Sequence, residues 1–426
     1  MSANKLNVVL IRPTNYNEHG YVARSGWTFM PSSALIHIKS LTPPRIGECD
    51  ITVTTIDEHT QVDLSYLEDF KRKSGSETLV ACVAVQSREF QRALDLCAFA
   101  KEHGAHAVIG GPHAMSCFTT EFHGRGVSFA LAEAEEAWLP ILNDVIHGGL
   151  EPVYGKGQRL AKTLNSPVLI PPSSQALRRK FGIIGIASAR GCPRNCTYCS
   201  VPEIAGSRLR SESVDTIIKS LQAAKKAGAR MIMFTADNAN LDPTFKELMI
   251  AMSDEKINLP FFVQCEATIE RQGSLVELMA KAGCWQIFIG AESFDRATLL
   301  AHGKSQNNPE KYGEILRLFR EYKILAHFSN MIGFENQTEK DILEHLDKLL
   351  CIGPEVASFY ILTPVPGTPD CELFLDNDLI TQPANLDRFD GTWCVWEHPH
   401  IAKERLRELE FYCYQKFFEF RRTCRT

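Results

Sequence analysis

The sequence predicts two α/β domains in series: a doubly wound parallel sheet, then an open, partial barrel of six β/α units. Three observations predict this. Through the first 150 positions, short apolar runs alternate with helix-period segments at roughly 30 residues per unit. Over 148–182 the alternation lapses, because Gly148, Gly149, Pro152, Gly155, Gly157, Pro167, Pro171 and Pro172 interrupt any regular element and 175–180 is polar and basic. From 183 it resumes and repeats six times.

In order, apolar runs at 6–11, 51–56, 79–85, 107–109 and 127–131 read as buried parallel strands. Helical periodicity at 33–41, 64–71, 88–103 and 135–147 separates them. Five such strands suit a flavodoxin-like order, with a ligand crevice at their carboxyl ends. The second series places strands at 183–187, 231–234, 261–264, 286–289, 325–332 and 357–362. Its helices fall at 214–227, 244–252, 274–282, 309–322, 339–351 and 369–377. Six units make a partial version of the eight-unit barrel, with chemistry expected on the loops after the strands. The tail is rich in aromatic residues and ends in a helix over 401–421. The expected domains are 1–147, a linker at 148–182, the barrel at 183–382 and a C-terminal cap at 383–426.

Composition narrows the function classes. The chain has 426 residues, 44% of them apolar and 23% charged, as in soluble globular proteins. A net charge of −5 gives no electrostatic footprint for nucleic acid or an anionic membrane. No apolar run approaches the roughly 20 residues that span a bilayer, and residues 1–10 lack the pattern of a signal peptide. The expected location is the cytoplasm. Most of the 14 cysteines stand singly in apolar segments, among them Cys82, Cys97, Cys265, Cys284 and Cys351, where a thiol acts as a small hydrophobe.

One group is different. Cys192-Pro193-Arg194-Asn195-Cys196-Thr197-Tyr198-Cys199 puts three thiols in eight residues, in the loop after the first strand of the second domain. Gly191 and Pro193 favour the bends of a tight loop that turns all three sulfurs to one side. Three thiolates can hold three irons of a cubane cluster that normally takes four, which leaves one iron open. Structural zinc wants four ligands, and no second Cys-x-x-Cys or histidine pair follows.

Cys-x3-Cys-x2-Cys with an aromatic residue before the last cysteine resembles the hallmark of the radical S-adenosylmethionine (SAM) superfamily. The resemblance implies a [4Fe–4S] cluster on Cys192, Cys196 and Cys199. It also implies SAM at the open iron, its one-electron cleavage to a 5′-deoxyadenosyl radical, and an electron donor such as flavodoxin or ferredoxin. Tyr198 matches the residue packed near the SAM adenine. Thr235, Asp237 and Asn238 follow the second strand, where the family binds the SAM amino group, although the usual Gly-Gly-Glu is absent. Glu292 and Ser293 follow the fourth strand, where ribose and methionine contacts lie. Gly333 stands in the patch that meets adenine, and Pro364 opens a segment like the family's closing loop. Glu292 equally suits a helix cap, and 364–369 an ordinary turn.

Over nearly the whole chain the layout resembles the class that carries a cobalamin-binding domain before the barrel. Ser87 matches its serine near the nucleotide tail of cobalamin, and Gly110 and Gly111 its Gly-Gly segment. Two departures leave cobalamin open. The first strand–helix loop, 12–20, lacks Asp-x-His-x-x-Gly, and the near miss at 57–62 ends in Val62 and follows another strand. Where the class shows Gly-Glu-Gly-Glu, this chain has Ala132-Glu133-Ala134-Glu135, and the two methyl groups would narrow a cleft or forbid backbone angles that only glycine tolerates. His19, His59 and His113 are candidate ligands, though a lone loop histidine more often packs or faces solvent.

A primary radical needs shielding from water. The segment 391–400 offers aromatic rings with Glu397 and His398, either as a substrate wall that handles protons or as a packed C-terminal strap. Acidic Asp237, Glu266 and Glu292 could hold a cationic polyol or SAM, or form internal pairs. The expectation is hydrogen abstraction from a small molecule, followed by deoxygenation, dehydration or rearrangement without cobalamin. The alternative is cobalamin-dependent C-methylation. A reading of another class, a redox-sensing iron–sulfur binding protein, has no need of an open iron.

Overall fold

The computed structural model describes residues 5–25, 28–61, 63–73, 77–117, 126–174, 177 and 182–423. Val62 and most of the basic stretch 175–180 lie outside them. The chain divides into two compact units: Met1–Ile186 with Asp215–Arg230, and Ala187–Val214 with Met231–Thr426.

The first unit is built on β1 (Lys5–Arg12), β2 (Arg45–Ile46), β3 (Cys49–Asp57), β4 (Thr78–Cys82), β5 (His106–Gly110), β6 (Ser128–Ala130) and β7 (Val153–Tyr154). The sheet runs β2-β3-β1-β4-β5-β6-β7. Leaving out the two-residue edge strands, that is the flavodoxin-like order, parallel throughout and in register from Val8↔Val53 to Val8↔Leu79. β2 and β7 escape periodicity analysis because two residues carry no period. Val8 and Leu10 face a core shared with Leu35, Trp138 and Ile141, while Val9 and Ile11 face one with Phe90, Leu94 and Cys97. This two-sided burial is why β1 reads as an unbroken apolar run. Ser32 starts the helix Ser33–Leu41 by accepting a hydrogen bond from the Leu35 amide. β4 stops at Cys82, short of the expected 85, because Ala84 turns the chain at φ 56°.

The second sheet contains β8 (Ile183–Ile186), β11 (Met231–Phe234), β12 (Phe261–Cys265), β13 (Cys284–Glu292), β14 (Leu325–Ile332) and β15 (Val356–Ile361), in the order β15-β14-β13-β12-β11-β8. A separate ribbon pairs β9 (Ala189–Arg190) with β10 (Arg210–Ser211). This is the partial (β/α)6 barrel, its helices at Val214–Ala227, Phe245–Asp254, Gly273–Ala282, Tyr312–Glu321, Glu339–Ile352 and Pro369–Asp376. β13 is longer than the expected 286–289 and carries a register shift between Gly290 and Glu292. The short helices Pro112–Cys117, Val201–Ala205 and Arg296–Ala301 were not expected from the sequence, since fewer than two turns give no amphipathic repeat. Among the described residues no helix is long and apolar enough to cross a membrane.

Candidate functional site

The cysteine loop is tied down from several sides within the second unit. The Gly191 amide donates to Asp237 Oδ2 at 2.8 Å, and the Cys192 amide to the Gly206 carbonyl at 3.1 Å. Gly191 has φ 93°, and a Cβ there would stand 2.4 Å from the Arg208 carbonyl oxygen, so this turn admits only glycine. The Thr197 amide donates to the His302 carbonyl, and the Asp370 amide to the Thr197 carbonyl. Gly303 is equally constrained, because a Cβ there would meet the Asn195 carbonyl oxygen at 2.3 Å.

Arg194, between the first two cysteines, makes a two-pronged ion pair with Glu266, Nε to Oε2 at 2.7 Å. Asn238 Nδ2 donates to the same carboxylate at 2.9 Å, and Asn238 Oδ1 accepts from the Glu266 amide at 3.1 Å. Burial alone would raise the Glu266 carboxyl, but hydrogen bonds from Arg194, Thr268 and Asn238 hold it below the usual carboxylate range. Of the roles open to Glu266, the structure has the internal pair: it braces the cysteine loop through Arg194.

Glu292 ends β13 with its backbone in the left-handed region, φ 64°, at a cost of about 1–2 kcal/mol for a residue with a Cβ. That conformation turns its buried carboxylate onto Lys304 Nζ at 2.7 Å, and Ser329 Oγ donates to the other oxygen at 3.2 Å. Gly290 makes room for this, since a Cβ there would lie 2.7 Å from Glu292 Oε1 and 2.8 Å from Lys304 Nζ. Burial disfavours the Lys304 ammonium, yet Glu292 and the nearby Cys196 raise its pKa overall. Lys304 Nζ lies 5.9 Å from the centre of the Tyr198 ring, which also neighbours His302 and Phe334.

Burial pushes the Cys196 thiol up, and Cys199 up to about 11, so without metal both are neutral thiols. Iron would displace those protons. Among the described residues no three His, Cys, Asp or Glu side chains converge on one metal ion. A cubane does not require this, because each thiolate takes a different iron. Three soft donors with a buried cation beside them suit a cluster that becomes net negative once ligated.

The remaining expected residues fall as follows. Thr235 is half-buried after β11, and Ser293 is buried with its hydroxyl accepting from the Asp295 amide. Gly333, φ 74°, gives its amide to Gln337 Oε1 at 2.8 Å, and Pro364 is buried at the start of its turn. The Glu397 side chain is exposed and paired with Lys403 at 2.7 Å. His398 Nε2 lies 2.9 Å from the Phe334 carbonyl, and its Nδ1 accepts from the His400 and Ile401 amides. With Trp396 wholly buried and donating to the Leu362 carbonyl, 391–400 has the geometry of a packed strap.

In the first unit, Ser87 Oγ lies 3.1 Å from His113 Nδ1, and burial lowers that imidazole to about 4. Gly111, φ 137°, runs so close to the turn after β4 that a Cβ would be 2.2 Å from the Val85 amide nitrogen. A Cβ at Gly110 would sit 3.3 Å from that of Ala130. His59 Nδ1 lies 3.2 Å from Thr14 Oγ1, and His19 is exposed. Lys304, His302, Glu335 and Asp370 were missed by sequence reasoning. His302 Nε2 meets Glu335 at 3.1 Å and its Nδ1 lies 3.4 Å from Asp370, contacts with no local sequence signal.

Comparison with known proteins decides what this loop belongs to. Residues 186–349 match the model of the radical SAM superfamily. These residues form a radical SAM domain. The cofactors of such a domain are a [4Fe–4S] cluster and SAM. Among its relatives, the bacteriochlorophyllide d C-12(1)-methyltransferase of Chlorobaculum tepidum is 26% identical over 72% of this chain and 68% of that protein. The hopanoid C-2 methylase of Rhodopseudomonas palustris is 25% identical over 73% of this chain and 58% of its own. Among solved structures, the radical SAM methyltransferase TsrM from Kitasatospora setae, with cobalamin and a [4Fe–4S] cluster bound, superposes with a TM-score of 0.70 at 16% identity, covering 88% of this chain and 78% of that one. The cobalamin-dependent radical enzyme OxsB gives 0.71 at 15% identity, covering 96% and 66%. These likenesses show the fold, a flavodoxin-like sheet followed in the chain by a partial barrel.

Proposed function

We propose that this radical SAM enzyme is a cobalamin-dependent methyltransferase acting on carbon of a small molecule. The observation that carries the reading is the pairing of a flavodoxin-like sheet with the barrel, the arrangement shared with TsrM and OxsB. Relatives named as methyltransferases support it. They favour methyl transfer over the cobalamin-free deoxygenation or rearrangement that the sequence alone put first.

The steric objection from Ala132 and Ala134 loses its force. Neither residue has a positive φ, so neither needs glycine's freedom. Ala132 is buried, and its methyl packs toward Gly155, whose own Cβ would stand 2.4 Å away. Ala134 simply begins the helix Ala134–His147. Ser87, Gly110 and Gly111 are the residues assigned to cobalamin, which when bound would supply a carrier for the methyl group of SAM.

Cys192, Cys196 and Cys199 are assigned to the cluster, which when bound supplies the electron that cleaves SAM. Arg194 and Glu266 hold the loop, Asp237 fixes its first turn, and Lys304 offsets charge beside Cys196 and Cys199. Tyr198, Ser293, Gly333 and Pro364 are assigned to SAM. The electron itself comes from a protein donor such as a flavodoxin or ferredoxin.

The test is anaerobic reconstitution of the cluster, addition of hydroxocobalamin, desalting, and measurement of retained cobalamin by its visible absorbance. About one equivalent per chain supports the reading. None retained, in protein that still cleaves SAM to 5′-deoxyadenosine, overturns it.

A further inference from the structure

The C-terminal cap holds a cavity of about 600 Å³ made by residues between Thr381 and Phe411. None of its lining residues belongs to the cysteine loop or to the strand-end segments. The volume lies within the roughly 300–1,000 Å³ of small-molecule sites. Trp393 is part of its wall, and two guanidiniums lie over that indole: Arg407 with Cζ 3.4 Å from the ring centre, and Arg388 at 4.4 Å. The contact gives each cation a π partner but leaves its N–H donors unspent.

Neither guanidinium makes a hydrogen bond or ion pair with any described residue. The other charges of the lining are mostly matched elsewhere. Lys403 is paired with Glu397 at 2.7 Å, and Glu408 with Arg405 at 2.7 Å. Glu404 is the remaining acid of the lining, and the buried Glu410 outside it interacts electrostatically with Arg407, so the two guanidiniums, neither in an ion pair, outnumber the one unmatched carboxylate of the lining. Val395 and the largely exposed ring of Phe411 add apolar wall beside them. Stacked arginines present their donors edge-on in the fork that matches a carboxylate or phosphate.

From these contacts we infer that the cap is a second binding site, for a small organic carboxylate or phosphate ester carried on an apolar, ring-sized body. Arg388 and Arg407 take the anionic group, and Trp393, Val395 and Phe411 take the body. The site goes beyond the methyltransferase reading and uses none of the residues assigned to cluster, SAM or cobalamin.

The test is isothermal titration of the full, cluster-reconstituted chain with phenylacetate, phenyl phosphate, inorganic phosphate and the neutral 2-phenylethanol. Saturable one-site binding of phenylacetate or phenyl phosphate is expected, weakened at least tenfold in R388Q/R407Q and in 2-phenylethanol. The stronger of the two aromatic anions identifies the ligand class. Inorganic phosphate binding as tightly as phenyl phosphate would overturn the apolar subsite. No saturable binding, or equal binding by wild type and R388Q/R407Q, would overturn the site. Circular dichroism and SAM cleavage unchanged in the double variant show that lost binding is not lost folding, and loss of either, together with lost binding, is answered by R388K/R407K, which must restore at least part of the affinity if the inference holds.

Discussion

Lys304 Nζ and Glu292 Oε1 form a buried ion pair 2.7 Å long beside Cys196 and Cys199, and Glu292 reaches it from a left-handed backbone at the end of β13. Removing one partner strands the other charge, at a typical cost of about 3–5 kcal/mol. Lys304→Met is therefore expected to lower stability by about 3 kcal/mol or more in urea unfolding. Lys304→Met with Glu292→Gln should recover part of that loss, since no buried charge is left. Equal stability of the single variant and wild type would show that the pair is not buried in solution.

Gly111 tests the first unit. A Cβ at 2.2 Å from a backbone nitrogen cannot be relieved by a rotamer, and φ 137° is foreign to alanine. Gly111→Ala should cost at least about 3 kcal/mol, or yield insoluble protein. At Gly157 a Cβ meets nothing within 4 Å, so Gly157→Ala should change the melting temperature by no more than about a degree or two. Both are read by thermal melts followed by circular dichroism.

The sequence carried the parts of the fold whose signals are local and periodic. Met231–Phe234, Leu325–Ile332 and Val214–Ala227 begin and end where the apolar pattern does, because burial on one or both faces writes itself into every second or every third and fourth residue. The cysteine triplet was legible because its ligands share one loop. The braces around it were not. Arg194 meets Glu266 across 72 residues, and Thr197 meets His302 across 105, so neither pair leaves a spacing to find. Glu292 was singled out, but the lysine that neutralises it follows an unremarkable short helix. The contacts of Ala132 were likewise hidden, since its neighbour Gly155 lies in a stretch that reads only as linker.

His302 gives the stability a pH dependence. Burial would depress its imidazole, but Asp370 and Glu335 outweigh burial and raise it to about 9. A folded value above the ordinary one near 6.5 means that the stabilisation is fully present below about pH 6.5 and is lost as pH rises through about 9. After screening by solvent the effect is of the order of 1–2 kcal/mol. Unfolding at pH 6.5 and 9.5 should show that loss in wild type, while His302→Gln should be less stable at pH 6.5 and nearly flat between the two. A parallel loss in His302→Gln would assign the pH dependence to other groups.

Glu397 and His398 separate a proton-handling wall from a strap. The Glu397 carboxylate is on the surface with Lys403, and an exposed pair of this kind contributes at most about 1 kcal/mol. Both His398 nitrogens are engaged by backbone, and burial lowers its pKa, so it is neutral and spent at pH 7. Glu397→Gln should therefore leave the rate of SAM cleavage to 5′-deoxyadenosine within about twofold of wild type at every pH. His398→Ala should lower the melting temperature, by an unsatisfied Phe334 carbonyl and two unsatisfied amides, without changing the shape of the pH–rate profile. A rate loss of tenfold or more in Glu397→Gln, with the fold intact, would return that carboxylate to the catalytic site.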